Sequence, residues 1–253
     1  MILFVSDVHL GRGRDDREVE RDLIDFLDAH QDDADHLYIL GDLFDEYIEY
    51  RRLVPKGFVR LQGRLAEWTD AGKPITYFVG NHDPWHLDYF ESEMGIEVAL
   101  EERIVRHFGC SIYLAHGDRG TERSRLRTWW SGILRHPMPV WVYRTLLPGD
   151  AGLGLARFVN RRYGKRELDD ALIGRLQERA RRILRERPVD VVVFGHSHHP
   201  ELTAWPEGIY VNSGYWHESR TFGRVTDHSI ALLRWNGGRG EVVEEQILER
   251  DRS

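Results

Sequence analysis

The sequence predicts an α/β protein in which two mixed β-sheets pack face to face between outer helices, as a four-layer αββα sandwich. Short apolar runs rich in β-branched residues recur along the chain, and a polar cluster follows each run at once. Continuous apolar strands of this kind are typical of sheets that are covered on both faces. The runs span residues 2–6, 37–40, 75–79, 112–115 and 189–194.

The segments between the first three runs carry apolar residues at helical spacing, which predicts two crossover helices and a βαβαβ order. Crossovers of this type are right-handed by default and leave the strands parallel. The polar clusters should then fall on loops at one edge of the sheets. The helical positions are Val19, Leu23, Phe26 and Leu27, followed by Phe58, Leu61, Leu65 and Trp68.

The C-terminal half predicts further strands that are joined by tight turns. A hairpin around Phe108-Gly109 comes first, and a strand-turn-strand series follows it. We expect one folded domain over residues 1–253, with a helical cap inserted at residues 119–166. The predicted strands are 103–107 and 111–114, then 201–205, 209–212, 229–235 and 241–248.

Length and composition narrow the functional classes. A chain of 253 residues can bury one substantial core. The 35 Lys and Arg residues against 42 Asp and Glu residues give a net charge of -7, which argues against a nucleic-acid partner, and no protein partner is indicated. The single cysteine, Cys110, excludes an internal disulfide. No segment approaches the ~20 apolar residues of a membrane span and no signal peptide is visible, so we expect a cytoplasmic location.

Asp7-Val8-His9 and Gly41-Asp42 each leave a predicted strand. Alternate residues of an extended segment point the same way, so Asp7 and His9 can reach a common ion. Taken alone, this motif also fits a turn residue beside a surface histidine. Asp42 could bridge two cations, or it could form an Asx turn or a helix N-cap.

Three later clusters favour the metal interpretation. Asn81 offers an amide oxygen that can bind metal without adding negative charge. His116 follows the fourth run, and His196 and His198 present two imidazoles on one side of an extended loop. A lone histidine is more often structural than a ligand, but five strand ends that each deliver Asp, Asn or His indicate a shared metal site.

The donors are carboxylates, an amide oxygen and imidazoles, without a thiolate. This set suits Mn²⁺, Fe²⁺, Co²⁺ or Zn²⁺ and argues against a structural zinc site. Mn²⁺ is our first expectation. A bridging carboxylate would place two such ions roughly 3.5–4 Å apart, the spacing that holds an attacking water and the phosphoryl oxygens in phosphoester hydrolysis.

Read together, the five blocks resemble the calcineurin-like metallophosphoesterase superfamily. They are Asp7-Val8-His9, Gly41-Asp42-Leu43-Phe44-Asp45, Gly80-Asn81-His82-Asp83, His116-Gly117-Asp118 and Gly195-His196-Ser197-His198. The resemblance implies an enzyme with two divalent ions and with Asp42 as the bridge. One ion would be held by Asp7, His9, Asp42 and His198, and the other by Asp42, Asn81, His116 and His196.

The same resemblance implies roles for the residues after the third strand. His82 would act beside the metals, on the transition state or on the leaving oxygen, with Asp83 orienting its ring. Asn81, His82 and His196 would also contact the substrate.

Residues 38–45 and the long insertion after His116 are similar to the branch of the superfamily that hydrolyses UDP-2,3-diacylglucosamine to UMP and lipid X in lipid A biosynthesis. The resemblance implies a UDP-linked acylated sugar as substrate. It also implies a peripheral position at the inner-leaflet surface of the inner membrane.

The insertion supports this implication through its own composition. Residues 119–166 contain two acidic and eleven basic residues, interleaved with large apolar side chains such as Trp129, Trp130 and Trp141. A basic and apolar cap fits an anionic, acylated substrate, although the aromatic residues could simply pack the cap onto the sandwich. We expect a helix to begin near four cations that would contact the pyrophosphate, although a solvated charge run is the alternative. These cations are Arg161, Arg162, Lys165 and Arg166.

Three other functions remain open at this point. A broader phosphodiesterase or phosphatase would share the metal site but would have no use for an apolar cap. A non-catalytic binding module would be expected to lack some metal ligands, whereas here every ligand position is filled. A nucleic-acid phosphodiesterase could use the basic cap, but the acidic chain as a whole disfavours it.

Overall fold

A computed structural model describes residues 1–120, 136–163 and 169–248. Within these ranges, two mixed sheets lie face to face and helices cover their outer faces, so the predicted four-layer αββα architecture is confirmed.

The first sheet has seven strands in the order β12-β11-β10-β1-β2-β3-β4. Strands β1 to β4 run parallel, and β10 pairs antiparallel with β1, with Ile2 opposite Val225. The strands are β1 (Ile2–Val5), β2 (His36–Ile39), β3 (Ile75–Phe78), β4 (Glu97–Ala99), β10 (Thr221–Val225), β11 (Ser229–Trp235) and β12 (Gly240–Ile247).

The second sheet has five strands in the order β5-β6-β7-β9-β8. Its central strands β6, β7 and β9 are parallel, and β5 and β8 pair antiparallel at the two edges. These strands are β5 (Arg103–His107), β6 (Cys110–Leu114), β7 (Val191–Phe194), β8 (Glu201–Trp205) and β9 (Gly208–Asn212).

Strand alternation divides the apolar residues among the layers. Ile2 and Phe4 of β1 point into the space between the sheets, where they join one buried cluster with Ile112 and Val193. Their neighbours Leu3 and Val5 point to the outer face. Three helices pack there, namely α1 (Asp16–His30), α2 (Val59–Asp70) and α3 (Tyr89–Met94).

The second sheet is covered by α6 (Asp170–Glu186), whose Leu176 and Ile183 meet Val192 and Tyr210. A short helix α7 (Trp216–Ser219) connects β9 to β10. Within the insertion, the described residues form α4 (Pro137–Leu146) and α5 (Gly149–Tyr163). No helix among the described residues has both the length and the apolar character needed to cross a bilayer.

Some elements were not predicted. Strand β4 has three residues, and β10 includes Thr221, Gly223 and Arg224, so neither forms an apolar run. Helix α6 begins at Asp170, where the side chain of Asp169 accepts a hydrogen bond from the N–H of Ala171 at 3.2 Å. This aspartate cap, rather than the preceding basic run, marks the start of the helix.

Candidate metal centre

The polar clusters after the parallel strands of both sheets meet at one edge of the sandwich. Asp7, Asp42 and Asn81 follow β1, β2 and β3 of the first sheet, and His116 and His196 follow β6 and β7 of the second. His9 and His198 stand two residues further along their loops. All seven predicted metal ligands therefore come together, although they are spread over almost the whole chain.

One group of donors consists of Asp7, His9 and His198. The Nε2 atoms of His9 and His198 are 3.1 Å apart, and Nε2 of His198 lies 3.4 Å from Oδ1 of Asp7. His9 Nε2 is 3.8 Å from the same carboxylate oxygen. Asp7 and His9 are fully buried, so these donors face one another away from bulk water.

A second group consists of Asp42, His116 and His196, with Asn81 beside them. Nε2 of His116 lies 3.2 Å from Nδ1 of His196, 3.2 Å from Oδ1 of Asn81 and 3.4 Å from Oδ2 of Asp42. The other ring nitrogen of His116, Nδ1, donates to the carbonyl oxygen of Leu40 at 2.7 Å, which leaves Nε2 as the ring atom that could bind a metal.

Asp42 stands between the two groups. Its Oδ2 atom lies 3.4 Å from Nε2 of His116 and 3.7 Å from Nε2 of His9. Its Oδ1 atom accepts the N–H of His82 at 2.8 Å. One carboxylate oxygen thus faces both groups, which is the geometry that a bridging ligand requires.

The spacing of the donors fits metal ions. Two donors that bind one ion at about 2.1 Å, with an angle of about 90–110° between them, lie roughly 3.0–3.4 Å apart. Five of the donor pairs given above lie within that range. Oδ1 of Asp7 is also buried without a hydrogen-bond partner among the described residues, as expected of an oxygen directed at a cation.

The backbone adopts unusual conformations at most of these positions. Left-handed φ angles of 50° to 68° occur at five of the seven donors, and each non-glycine residue in that region costs on the order of 1 kcal/mol. The five are Asp7, His9, Asp42, His196 and His198. Strain of this kind is typical of functional sites, where the surrounding structure holds it in place.

Two glycines allow the backbone to approach the carboxylates closely. A Cβ atom on Gly195 would lie 2.5 Å from Oδ2 of Asp7, and a Cβ atom on Gly80 would overlap the carboxylate of Asp42. Both contacts would be closer than any that a real Cβ atom makes, so only glycine fits at these two positions.

The buried carboxylates and imidazoles perturb one another. Burial alone would lower the pKa of His9, but the nearby carboxylates of Asp45, Asp7 and Asp42 raise it to about 9. Burial would also lower the pKa of His116, but the charges of Asp42 and Asp7 outweigh this effect and raise it to about 10. Burial acts to raise the pKa of Asp7, yet His198 and His9 hold it far below its ordinary value. A site with this much negative charge is suited to cations.

His82 lies at the rim of the two groups. Its Nδ1 atom is 2.9 Å from the carbonyl oxygen of Asp45 and 3.6 Å from Oδ1 of the same residue. A carbonyl oxygen can only accept, so Nδ1 carries the proton of this bond and Nε2 is the atom that can exchange a proton with a ligand. The ring is edge-on to that of His9, with 4.7 Å between the centroids.

The prediction that Asp83 orients the His82 ring is wrong. The Asp83 carboxylate turns the other way and accepts the N–H groups of Asp42, Phe44 and Gly80 at 2.9–3.3 Å and the hydroxyl of Tyr77. Burial and the nearby charge of Asp42 raise its pKa to about 6. Asp83 therefore holds together the two loops that carry Asp42 and Asn81, while Asp45 holds the His82 ring.

Two residues at the site were not predicted. Asp45 contacts both His82 and His9, whose Nδ1 is 3.1 Å from its Oδ1. Its position three residues after Asp42, on the same loop, is the signal that points to it. Tyr215 stacks on His198, a tertiary contact for which the sequence offers no local signal.

Two of the four cap cations predicted to contact substrate, Arg161 and Arg162, do not stand at a helix start. Arg161 and Arg162 occupy the last turn of α5, where the partial charge of the helix is negative, so the prediction of a helix N-terminus at this cluster is wrong. Lys165 and Arg166 lie outside the described residues.

Comparisons with known proteins agree with this geometry. A family model described as calcineurin-like phosphoesterase matches residues 1–200. The chain is similar to UDP-2,3-diacylglucosamine hydrolase of Porphyromonas gingivalis, at 38% identity over 151 residues, which cover 58% of this chain and 57% of that protein. It therefore spans little more than half the length of that relative.

A second relative, UDP-2,3-diacylglucosamine hydrolase of Pseudomonas aeruginosa, is 30% identical over 211 residues, covering 79% of this chain and 82% of that protein. Among solved structures, the phosphoesterase Yfce from E. coli matches with a TM-score of 0.51 at 17% identity. The match covers 98% of this chain and 99% of that one. At this level of identity, the likeness to Yfce concerns the fold alone.

Proposed function

This chain belongs to the calcineurin-like phosphoesterase family, and from that premise we propose that it is a hydrolase of UDP-2,3-diacylglucosamine that releases UMP and 2,3-diacylglucosamine 1-phosphate. In this proposal two divalent cations are held by the predicted ligands, with Asp42 shared. The observation that carries it is the position of Asp42 Oδ2, which faces a nitrogen of each donor group at 3.4 and 3.7 Å.

When bound, the two cations supply Lewis-acid activation of water and neutralise charge on the phosphoryl oxygens. Asp7, His9, Asp42 and His198 would hold one, and Asp42, Asn81, His116 and His196 the other. We propose Mn²⁺ as the physiological ion because the donors are oxygen and imidazole nitrogen without thiolate. Five of these seven donors are buried, namely Asp7, His9, Asp42, His116 and His196.

His82 is the residue proposed to act directly on the phosphoryl group. Because Nδ1 donates to the carbonyl of Asp45, Nε2 of His82 carries a proton only in the imidazolium form of the ring. In that form Nε2 can donate a hydrogen bond to a phosphoryl oxygen or a proton to the leaving oxygen. The hydrogen bond to a backbone carbonyl also keeps the ring in one orientation. The charge that develops in the transition state would then meet a group that is already in place.

The described part of the cap supports an acylated substrate. On α4, Val140 and Tyr143 face the body of the protein, whereas Met138, Trp141 and Leu146 are exposed, Trp141 by 64%. On α5, Phe158 is 66% exposed. Both helices therefore present large apolar side chains outward, which suits acyl chains or the surface of a bilayer.

The names of the two relatives give the substrate of those proteins, and the cap gives a physical reason to extend it to this chain. We place the protein at the cytoplasmic surface of the inner membrane, where its lipid substrate would lie. Binding there would be peripheral and would depend on the exposed apolar residues. Liposome flotation should show binding of the native protein and a clear loss for Trp141→Ser.

The deciding experiment compares substrates on the purified protein with Mn²⁺. UDP-2,3-diacylglucosamine should be turned over with a kcat/KM at least about a hundredfold above those of bis(4-nitrophenyl) phosphate and 4-nitrophenyl phosphate, with release of UMP. Asp42→Asn serves as the inactive control. If the simple esters are cleaved as well as or better than the UDP-lipid, the chain is a broader phosphodiesterase or phosphatase and the lipid assignment fails.

A further inference from the structure

Two loops enclose His82, and backbone hydrogen bonds join them along their length. The N–H of Tyr47 donates to the carbonyl of His82 at 3.4 Å, and the N–H of Glu49 donates to the carbonyl of Trp85 at 3.0 Å. Ile48 and Trp85 form a parallel β-bridge between these two contacts. The first loop also contains Asp45, whose carbonyl oxygen holds the His82 ring.

Glu49 strengthens this pairing. Its carboxylate is buried, at 2% exposure, and accepts three successive backbone N–H groups at 2.7–3.0 Å at the start of α3. The donors are Leu87, Asp88 and Tyr89. A charge-assisted arrangement of this kind fixes the segment that follows His82.

The cap contacts the same loops through a second charged group. Nη2 of Arg144, on α4, lies 2.9 Å from the carbonyl oxygen of Trp85 and 3.4 Å from that of His86. The Trp85 carbonyl therefore accepts from both the Glu49 backbone and the cap. The ring of Tyr143 packs edge-on against that of Trp85, with 4.8 Å between the centroids.

A further contact reaches the other loop. Nε of Arg157, on α5, lies 2.9 Å from Oε2 of Glu46, the residue next to Asp45. Each of the two cap helices thus contacts one of the two loops. The ring of His82 is fixed between these loops, because its backbone belongs to one and its hydrogen-bond acceptor to the other.

We propose that Arg144 is a positioning residue that couples the cap to His82. Through the Trp85 and His86 carbonyls it fixes the loop that carries the His82 backbone, while Arg157 steadies the neighbouring loop. Movement of the cap on substrate would then be transmitted to the phosphoryl-facing ring. This inference rests on the proposed role of His82, and a displacement of the ring by about 1 Å would lower kcat without altering the metal ligands.

The test uses bis(4-nitrophenyl) phosphate, a small diester that does not depend on the lipid assignment. Arg144→Met should lower kcat about tenfold with KM within twofold and with the Mn²⁺ stoichiometry unchanged. Arg144→Lys should recover part of the loss, because its ammonium can still donate to a carbonyl oxygen. Arg185→Met is the matched control, since Arg185 lies on α6, away from this junction, and pairs with Glu207.

Two further readouts separate positioning from a general structural effect. In a His82→Ala background, Arg144→Met should cause no additional loss of kcat, whereas a full further tenfold loss would overturn the proposal. Amide exchange at Leu87, Asp88 and Tyr89 should accelerate in Arg144→Met but not in Arg185→Met. Unchanged exchange at these amides would refute the coupling whether or not the protein turns over the diester. Failure of the proposed function would show differently, as absent turnover of UDP-2,3-diacylglucosamine.

Discussion

The imidazole ring of His198 lies parallel to the phenol ring of Tyr215, with 4.3 Å between their centroids and 8° between their planes. His198 has a left-handed φ of 61°, so its backbone does not by itself favour the observed orientation. Tyr215 is buried and supplies a flat surface that fixes the plane of the ring. Nε2 of His198 is thereby directed toward Asp7 and His9.

Tyr215→Leu should therefore weaken Mn²⁺ binding at the Asp7 side of the site by about tenfold, in the range found when a residue that orients a ligand is removed. Tyr215→Phe keeps the stacked ring and should bind Mn²⁺ as the native protein does. Isothermal titration calorimetry on metal-free protein measures both. Equal affinities for the Leu variant and the native protein would show that the stacking has no positioning role.

Asp42→Asn should reduce the bound Mn²⁺ from two ions to fewer than one per chain, because one oxygen of Asp42 faces both donor groups. Phosphoesterase activity should fall at least about a hundredfold. Elemental analysis after saturation and gel filtration gives the stoichiometry. Asp28→Asn, which removes only an exposed ion pair with Arg64, is the control. Retention of two ions by the Asp42 variant would contradict the bridging geometry.

Gly80→Ala should abolish metal binding or folding, because the added Cβ would overlap the Asp42 carboxylate. The matched control is Gly63→Ala in α2, where an added Cβ meets nothing within 4 Å. This control should stabilise the protein by about 0.5–1 kcal/mol through helix propensity. Thermal unfolding and Mn²⁺ stoichiometry are measured for both variants. Gly80→Ala should lose metal or stability and Gly63→Ala should gain stability, whereas a general effect of replacing glycine by alanine would shift both variants alike.

The buried side chain of His86 should make the free energy of unfolding depend on pH. Its ring stacks on Tyr47 at 4.5 Å and meets Phe90 at 4.9 Å, and burial lowers its pKa to about 3 from 6.5. The unfolded chain binds this proton near pH 6.5 and the folded protein does not. The contribution to stability is thus complete above pH 6.5 and is lost progressively as the pH falls toward 3.

His86→Phe removes that proton site and keeps an aromatic ring. The loss of unfolding free energy between pH 7 and pH 4.5 should be smaller than in the native protein by roughly 2 kcal/mol. Urea denaturation of the metal-free proteins measures the difference. His228→Phe serves as the control because the His228 side chain is 83% exposed. A pH dependence identical to the native one would show that His86 titrates normally.

The clustering of the candidate metal ligands could be predicted because their signal is local. Each stands just past an apolar strand, and the ends of parallel strands meet at one edge once the sheets form. The roles of Asp45 and Tyr215 depend on imidazole rings that distant parts of the chain bring close. The only local signal for Asp45 is its position three residues after Asp42, and Tyr215 has no local signal. The same limit explains Asp83, which follows His82 directly yet turns its carboxylate toward three backbone amides.

The cap shows a second limit. Its charge pattern was predicted from composition, but the positions of its helices are set by caps and packing. Asp169 begins α6, and Arg161 falls at the end of α5 instead of at the start of a helix. Composition therefore indicated what kind of surface the insertion forms, and it did not indicate where each cation would stand.

The donor groups draw their members from both sheets, and this arrangement has a mechanical consequence. Asp42 belongs to a loop of the first sheet, and His116, whose Nε2 lies 3.4 Å from its carboxylate, belongs to the second. A cation bound there would link the two sheets, because its ligands come from both. The two sheets could separate only after the ions dissociate. The temperature or force needed to unfold the protein should therefore rise with the metal occupancy of the site rather than with the size of the apolar layer between the sheets.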